Sequence, residues 1–126
     1  MNSQLTVYKA SAGSGKTFTL AREYMTLVIA NPYSYRTILA VTFTNKATEE
    51  MKTRILSQLY GIANGLEESH GYLEQIKKAL PHLTQKQIEK NAGTALSLLI
   101  HNYNYFRVET IDTFFQSVLR NLAREL

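Results

Sequence analysis

The sequence predicts an α/β fold, in which a parallel sheet is flanked by helices. Segments with the patterns of strands and of helices alternate along the chain, and such alternation is typical of parallel sheets with helices on their faces. The length of 126 residues corresponds to one domain, and the 44% hydrophobic composition suffices for one buried core. We expect three parallel strands that are neighbours in one sheet, with a helix after each.

Three segments have the pattern of strands. Residues 5–9 alternate apolar and polar side chains, which indicates a short, half-buried strand. Residues 37–43 are β-branched and almost continuously apolar, as in a parallel strand that is buried on both faces. Residues 105–111 form the third candidate strand. Each segment is followed by small or capping residues and then by a helical pattern, so each begins a strand–helix unit.

The predicted helices cover residues 16–30, 46–60, 72–80 and 85–101. Pro32 ends the first, and Gly61 and Gly65 are expected to loosen the end of the second. Thr84 followed by Gln87 resembles a capping box at the start of the fourth. Asp112 is the expected N-cap of a last helix. That helix carries apolar residues at helical spacing: Phe115, Val118, Leu119 and Leu122.

Composition excludes several classes of site. The chain has no cysteine, which rules out disulfides, zinc knuckles, iron–sulfur clusters and thiol catalysis, and fits a reducing cytoplasm. Its three histidines lack the spacing of metal ligands. No apolar run approaches the about 20 residues that span a bilayer, and residues 1–4 lack the features of a signal peptide. The net charge of +4 permits a phosphate-rich partner without requiring one.

Residues 10–17 form a small-residue loop that ends in lysine and threonine. They match the last positions of the G-x-x-x-x-G-K-[ST] phosphate loop, with Ala10 where the first glycine usually lies. Glycines let successive backbone N–H groups point at phosphate oxygens. Lys16 can then bridge the β- and γ-phosphates, and the Thr17 hydroxyl can ligate Mg²⁺. The alternative is a glycine-rich turn that carries a lysine by chance.

A second polar block lies where the second strand ends. Because ligands bind outside the carboxyl ends of parallel strands, Thr42, Thr44 and Asn45 are expected on the same edge as the phosphate loop. Their side chains can hydrogen-bond a sugar–phosphate backbone, and Phe43 can stack on a base. The alternative is that Phe43 belongs to the core and Thr44 is an N-cap.

A third block, residues 108–116, again closes a strand and opens a helix, so it should share that edge. Its alternative is a capped helix with Phe114 and Phe115 in the core. Tyr103 and Tyr105, which flank the start of this strand, are expected to be packing residues rather than a base-stacking platform.

Together the three blocks resemble the start of a UvrD/Rep-type superfamily 1 DNA helicase, with the closest similarity to the RecB/AddA branch of helicase–nucleases. Residues 10–20 are similar to motif I of that branch. Residues 42–47, followed by Glu50, Met51 and Arg54, are similar to motif Ia. Residues 110–114 resemble the next motif, usually Thr-Ile-His-Ser-Phe, although Asp112 replaces the histidine.

The resemblance implies a P-loop, RecA-like sheet and a motor that is driven by ATP and Mg²⁺. The implied nucleotide-binding residues are Ala12, Gly13, Ser14, Gly15, Lys16, Thr17 and Phe18, with Lys16 and Thr17 in catalytic roles and Thr17 on the metal. The implied DNA-binding residues are Thr42, Phe43, Thr44, Asn45, Thr110 and Thr113. Implied partners are single-stranded DNA or duplex DNA ends, and a second helicase–nuclease subunit.

The resemblance also implies that parts of the motor lie outside this sequence. The acidic Walker B motif, the arginine fingers and the second motor domain have no match in residues 1–126. We therefore expect residues 1–126 to be the N-terminal portion of the ATP-binding motor domain of a longer protein, with residues 66–101 as a helical insert. Gln4 is too near the loop to be assigned as an adenine-reading glutamine, and Asp112 is assigned to capping.

Two other functions fit the phosphate loop. In a small P-loop phosphotransferase, Asp112 would be the Mg²⁺-linked or base carboxylate. This fit is poorer because residues 105–111 lack the unbroken apolar run that usually precedes such an aspartate. The other is a non-catalytic module that keeps the loop and acts through its interactions.

Overall fold

The fold is α/β, with a small parallel sheet, and a computed structural model describes residues 4–7 and 15–125. The strands, in sheet order, are β1 (Gln4–Val7), β2 (Ile38–Thr42) and β3 (Arg107–Thr110). Both pairings are parallel: Val7 lies opposite Val41, and Thr42 lies opposite Thr110. The predicted arrangement of three parallel neighbours is confirmed.

The central strand is buried along nearly its whole length, as its sequence predicted. Ile38, Ala40, Val41 and Thr42 of β2 are all buried. This strand has a partner on each side and helices against the sheet, so nearly every position needs an apolar or internally hydrogen-bonded side chain. In β3, by contrast, Arg107 is exposed while Val108 is buried.

Five α-helices accompany the sheet within the described residues: α1 (Gly15–Ala30), α2 (Asn45–Ala63), α3 (His70–Ala79), α4 (Gln85–His101) and α5 (Ile111–Glu125). Short 3₁₀ turns cover Pro32–Thr37, Glu67–Ser69 and Tyr103–Tyr105. The capping box predicted at Thr84 and Gln87 is confirmed, with both of its hydrogen bonds present. None of these helices is long and apolar enough to cross a membrane.

The end of α2 differs in part from the prediction. Gly61 does not loosen the helix: it is buried inside α2, which continues to Ala63. The chain turns away after the helix at Gly65, as the prediction for that glycine requires, with a φ of 66° that side chains other than glycine's rarely adopt. The Leu66 N–H then donates to the Gly61 carbonyl at 2.8 Å. This pairing closes the helix in the manner of a Schellman motif.

One hydrophobic core joins the helices to the sheet. Its largest fully buried side chains are Leu20, Tyr24, Met25, Val28, Ile29, Met51, Ile55, Leu59, Ile62, Ile76, Ile88 and Leu99. The set includes residues of α3 and α4, so most of the segment 66–101 packs into the same core as α1 and α2. The helices predicted in this segment are confirmed, and its description as an insert stays a prediction.

The last helix departs from expectation in two ways. Asp112 is not its N-cap: α5 already begins at Ile111, and Asp112 lies exposed in the first turn. The alternative that placed Phe115 in the core is also wrong, because 54% of this residue is exposed. Exposed with it on α5 are Val118, Leu119 and Leu122, and the contacts of α5 include β3 and β2.

Candidate functional site

The parallel sheet brings the second and third predicted blocks to one edge. β2 ends at Thr42 and β3 ends at Thr110, and these two residues are direct partners in the register. The phosphate loop follows β1, which ends at Val7 in register with Val41. The segments that follow the three strands therefore all begin at the carboxyl edge of the sheet. Ligands bind at this edge in parallel sheets.

The phosphate-loop residues lie only partly within the described structure. Ala12, Gly13 and Ser14 lie outside the described residues. Gly15 is the first residue of α1, and the backbone of Lys16 and Thr17 forms the first turn. The loop is thus preceded by a strand and followed by a helix, the context that a phosphate loop requires. Its role in binding stays a prediction.

Phe18, in the first turns of α1, contacts α3. Its ring stacks on that of Tyr72 with 4.1 Å between centroids and 16° between planes. Arg54 of α2 donates a hydrogen bond of 3.4 Å to the Tyr72 hydroxyl. An open groove of about 480 Å³ adjoins this cluster, lined by Glu49, Glu50, Thr53, Arg54, Ser57, Gln58 and Tyr72. The helix that follows the loop is thereby tied to α2 through Tyr72.

Thr42 is buried and hydrogen-bonded within the protein. Its hydroxyl lies 2.6 Å from the Thr48 hydroxyl and 3.3 Å from the Thr44 carbonyl oxygen. It also reaches the Glu109 carbonyl of β3 at 3.5 Å. This hydroxyl therefore joins β2, the start of α2 and β3, and a direct contact with a ligand would require that network to open.

The next three residues of the second block are exposed. Thr44 is the N-cap of α2, and its hydroxyl accepts a hydrogen bond of 3.0 Å from the Ala47 N–H. Asn45 is the first residue of the helix. Phe43 is 45% exposed, so the alternative that assigned it to the core is wrong, whereas the N-cap assigned to Thr44 is confirmed. An exposed ring, hydroxyl and amide thus share the edge.

The third block is organised by two threonines. The Thr110 hydroxyl donates to the Thr113 hydroxyl at 3.0 Å and accepts from the Thr113 N–H at 3.2 Å. Thr110 is therefore the N-cap of α5, the role predicted for Asp112. Its hydroxyl accepts from the N–H of Thr113, three residues later, as an N-cap side chain does. The Asp112 carboxylate in the first turn gains from the helix dipole instead.

Sequence reasoning missed two residues of this region, Thr48 and Tyr72. Thr48 shares the face of α2 that carries Met51 and Ile55, and this helical spacing was a signal that its hydroxyl would be buried. Tyr72 stacks on Phe18 from more than fifty positions away, so no local pattern marked it. Among the described residues no group of three or more His, Asp or Glu side chains could hold a metal ion.

The whole chain, residues 1–126, matches the model of the UvrD/REP helicase N-terminal domain family. The chain belongs to this family. The family assignment agrees with the resemblance seen in the three sequence blocks.

Three relatives of this UvrD/REP helicase N-terminal domain are, by name, an enzyme subunit, a DNA helicase and a helicase/nuclease subunit. The RecBCD enzyme subunit RecB of Borreliella burgdorferi is 35% identical over 86% of the chain, and the ATP-dependent DNA helicase UvrD1 of Mycobacterium leprae is 30% identical over 93%. A subunit of the ATP-dependent helicase/nuclease of Clostridium novyi is 34% identical over 79%. The chain spans 9%, 14% and 8% of these relatives' lengths, respectively. No solved structure gives a significant match.

Proposed function

We propose that this chain is the ATP-binding N-terminal segment of an ATP-dependent DNA helicase or helicase–nuclease that translocates along single-stranded DNA. The main support is the shared carboxyl edge: Thr42 of the second block lies in register with Thr110 of the third. The predicted phosphate loop follows β1, whose last described residue, Val7, lies in register with Val41 near that same edge. If the residues that bind nucleotide and those that bind DNA lie at one edge of one sheet, a change at one ligand can reach the other over a short distance.

For the nucleotide site we propose a P-loop, RecA-like arrangement. Bound ATP would supply the phosphoryl group, and Mg²⁺ would neutralise part of the charge on the phosphates. The donor set fits this ligand, because a lysine and a hydroxyl at a helix start provide a point charge and a metal ligand. Lys16 would hold the β- and γ-phosphates, and Thr17 would ligate Mg²⁺. The backbone cradle and its neighbours are Ala12, Gly13, Ser14, Gly15 and Phe18.

For the DNA site we propose that exposed groups of the second and third blocks contact the sugar–phosphate backbone. Thr44 and Asn45 begin α2, and Thr113 lies in the first turn of α5. Phe43 supplies an exposed ring for stacking. Thr110 orients Thr113 through their mutual hydrogen bonds. Thr42 completes the set, either as a contact or through its hydrogen bonds to the Thr44 segment.

For the whole protein, the relatives' names support a longer chain. We propose that residues 1–126 are the N-terminal portion of its motor domain and that residues 66–101 are a helical insert. Its partners are single-stranded DNA or duplex DNA ends, and a second helicase–nuclease subunit. The name of the Borreliella relative, a subunit of an enzyme, supports that last partner. DNA repair or recombination in the cytoplasm is the process that fits.

A phosphotransferase is the weaker alternative. It would use Asp112 beside the phosphates, yet this carboxylate lies exposed in the first turn of α5. A non-catalytic module differs from the proposal in one measurable respect: it would bind nucleotide without hydrolysing it when DNA is added.

The first prediction concerns Lys16. In the full-length protein, Lys16→Ala should abolish ATP-driven unwinding and weaken ATP binding, because it removes the charge that holds the phosphates. Binding of single-stranded DNA should largely remain. Lys86→Ala, an exposed lysine on α4, is the matched control and should leave both activities unchanged. Unwinding by Lys16→Ala at the parent's rate would contradict the proposed nucleotide site.

A further inference from the structure

Two exposed tyrosines, each with a cation close to its ring, form a patch at the other edge of the sheet. The Arg36 guanidinium lies 4.6 Å from the Tyr105 ring centroid, and the Lys52 ammonium lies 4.9 Å from that of Tyr103. We call these four residues the tyrosine patch. Tyr103 and Tyr105 are 47% and 45% exposed, so the sequence-based expectation that they serve for packing accounts for only part of their surface.

The tyrosine patch lies at the amino edge of the sheet, away from the phosphate loop. Arg36 is two residues before β2, and the turn Tyr103–Tyr105 directly precedes Phe106 and β3. Lys52 reaches the same place from α2. It lies seven residues after Asn45, or about 10 Å along the helix axis.

Buried aromatic side chains hold the two exposed rings in place. Tyr105 contacts buried Tyr35 edge-on, at 6.5 Å and 83°. Tyr103 contacts buried Phe106 in the same way, at 5.9 Å and 87°. An edge-to-face contact constrains the orientation of both rings, and nearly half of each tyrosine remains exposed. The patch is therefore ordered before any ligand arrives.

The two cations of the patch have no carboxylate partner among the described residues. The ion pairs in that part of the chain are Arg22–Glu23, Lys77–Glu74 and Arg107–Glu109. Neither Arg36 nor Lys52 takes part in these pairs, so their charge is available to an anionic ligand. The residues between and beside the tyrosines, Asn102 and Asn104, are polar amides rather than an apolar surface.

We infer that the tyrosine patch binds single-stranded nucleic acid, with bases stacked on Tyr103 and Tyr105 and phosphates beside Arg36 and Lys52. Exposed rings with cations that have no carboxylate partner beside them are the elements that bind single strands without regard to sequence. A peptide partner is less well matched, because the positions that flank the rings are amides and each ring has a cation beside it. The site goes beyond the proposed function, since Thr44 and Asn45 lie at the opposite edge. Helix α2 connects the two.

The test uses the full-length protein without nucleotide and a fluorescent oligo-deoxythymidine. Tyr103→Ala with Tyr105→Ala should weaken binding about tenfold, because stacking is lost. Tyr103→Phe with Tyr105→Phe should bind like the parent, since the ring faces remain. Tyr33→Ala is the matched control: Tyr33 is 68% exposed and lies outside the ring and cation contacts of the described residues.

Two further measurements separate binding from a structural effect. Arg36→Gln and Lys52→Gln should each reduce the slope of log affinity against log salt by about 0.7. In the unaltered protein, oligonucleotides that carry iodo-deoxyuridine should photo-crosslink to Tyr103 or Tyr105. This second readout decides the matter even where the alanine pair fails to fold.

The inference is overturned if cross-links avoid the patch and the alanine pair binds as tightly as the parent. If Thr44→Ala with Asn45→Ala then still weakens binding, the proposed function stands and only the patch is excluded. A patch that captures a protein instead of DNA would give the same unchanged DNA affinity, and would equally overturn the inference. Loss of binding by the tyrosine pair alone would support the patch and contradict the DNA track at the carboxyl edge.

Discussion

At the scale of single residues, Gly61 and Tyr24 test the packing most sharply. Gly61 is buried in α2 directly against Ser69, and a Cβ built on it would lie 2.9 Å from the Ser69 Cβ. Real Cβ atoms do not approach so closely, so either α2 or the turn Glu67–Ser69 would have to move. Tyr24 is 2% exposed, and its hydroxyl has no hydrogen-bond partner in the described structure.

The second prediction is that Gly61→Ala lowers the free energy of unfolding by about 1–3 kcal/mol, because overpacking forces the backbone apart. The matched control is Gly71→Ala in α3, where a new Cβ meets nothing within 4 Å. That change should be neutral or stabilise by about 0.5 kcal/mol through helix propensity. Urea unfolding measures both. Equal effects of the two substitutions would contradict the packing of Gly61 on Ser69.

The third prediction is that Tyr24→Phe does not destabilise the protein and adds about 1 kcal/mol to the free energy of unfolding. The substitution keeps the ring, which packs 5.4 Å from Phe106, and removes a polar group that is buried without a partner in the described structure. Urea unfolding of the two proteins measures the difference. Loss of stability by several kcal/mol would show that the hydroxyl is hydrogen-bonded.

The same residue predicts a pH dependence. Burial raises the pKa of Tyr24 above its ordinary value of 10.0. The unfolded chain therefore loses this proton at lower pH than the folded protein does, so the free energy of unfolding is independent of this proton below pH 10 and falls as the pH rises above it. Tyr24→Phe should flatten the fall in melting temperature above pH 10 relative to the parent. Identical alkaline profiles would contradict the burial of the hydroxyl.

At the scale of elements, threonine hydroxyls decide where several helices begin. Thr44 caps α2, Thr84 caps α4, and Thr110 binds the amide of Thr113 in the first turn of α5. Two of these starts lie at the carboxyl edge of the sheet. At this edge, residues proposed to contact DNA therefore also fix the positions at which α2 and α5 begin.

The fourth prediction is that Thr110→Ala destabilises the first turn of α5 by about 1 kcal/mol, the typical cost of a lost N-cap. Asp112→Asn should cost less, about 0.3–1 kcal/mol, because it removes only a charge from the helix start. Hydrogen exchange of the Thr113 amide measures both changes. The reverse order would return the capping role to Asp112.

The elements could be predicted from the sequence wherever their signals are local. The strand at residues 37–43 and the capping box at Thr84 needed only patterns within one segment, and both are present. The end of α2 was predictable only in part: Gly65 turns the chain after the helix, as expected, whereas Gly61 is a close-packing residue against Ser69 rather than a helix breaker. The sequence favoured Asp112 as the N-cap because Asp is common at that position. The N-cap is instead Thr110, the last residue of β3.

At the scale of the whole molecule, parallel topology joins residues that are distant in sequence. Thr42 and Thr110 are register partners at one edge, and the Thr42 hydroxyl reaches the Glu109 carbonyl across the strands. The shared edge was predictable, since parallel strands end together. The burial of Thr42 and the cations over the Tyr103 and Tyr105 rings were not, because both depend on contacts between distant segments.

The exposed apolar face of α5 belongs to the same scale. Its residues repeat at helical spacing, as in helices that pack on a partner, yet they are exposed in the described structure: Phe115, Val118, Leu119 and Leu122. Sequence periodicity correctly gave the helix and its apolar side. The periodicity carried no information about what the apolar side of α5 packs against.

We propose that nucleotide and single-stranded DNA meet at the carboxyl edge of the sheet. The measurement that tests it most directly is the ATPase rate of full-length protein as single-stranded DNA is added, for the parent and for Thr44→Ala with Asn45→Ala. Thr84→Ala is the matched control, because it removes an equivalent N-cap away from this edge.

For the double variant, we expect unchanged nucleotide binding and a reduced stimulation of the ATPase. The affinity for DNA should fall roughly tenfold, because two hydrogen bonds to the sugar–phosphate backbone of the DNA are lost. The loss should be similar for different base sequences, and Thr84→Ala should behave like the parent. If the double variant binds single-stranded DNA as tightly as the parent and is stimulated equally, the claim is contradicted. Thr44 would then be only the cap of α2.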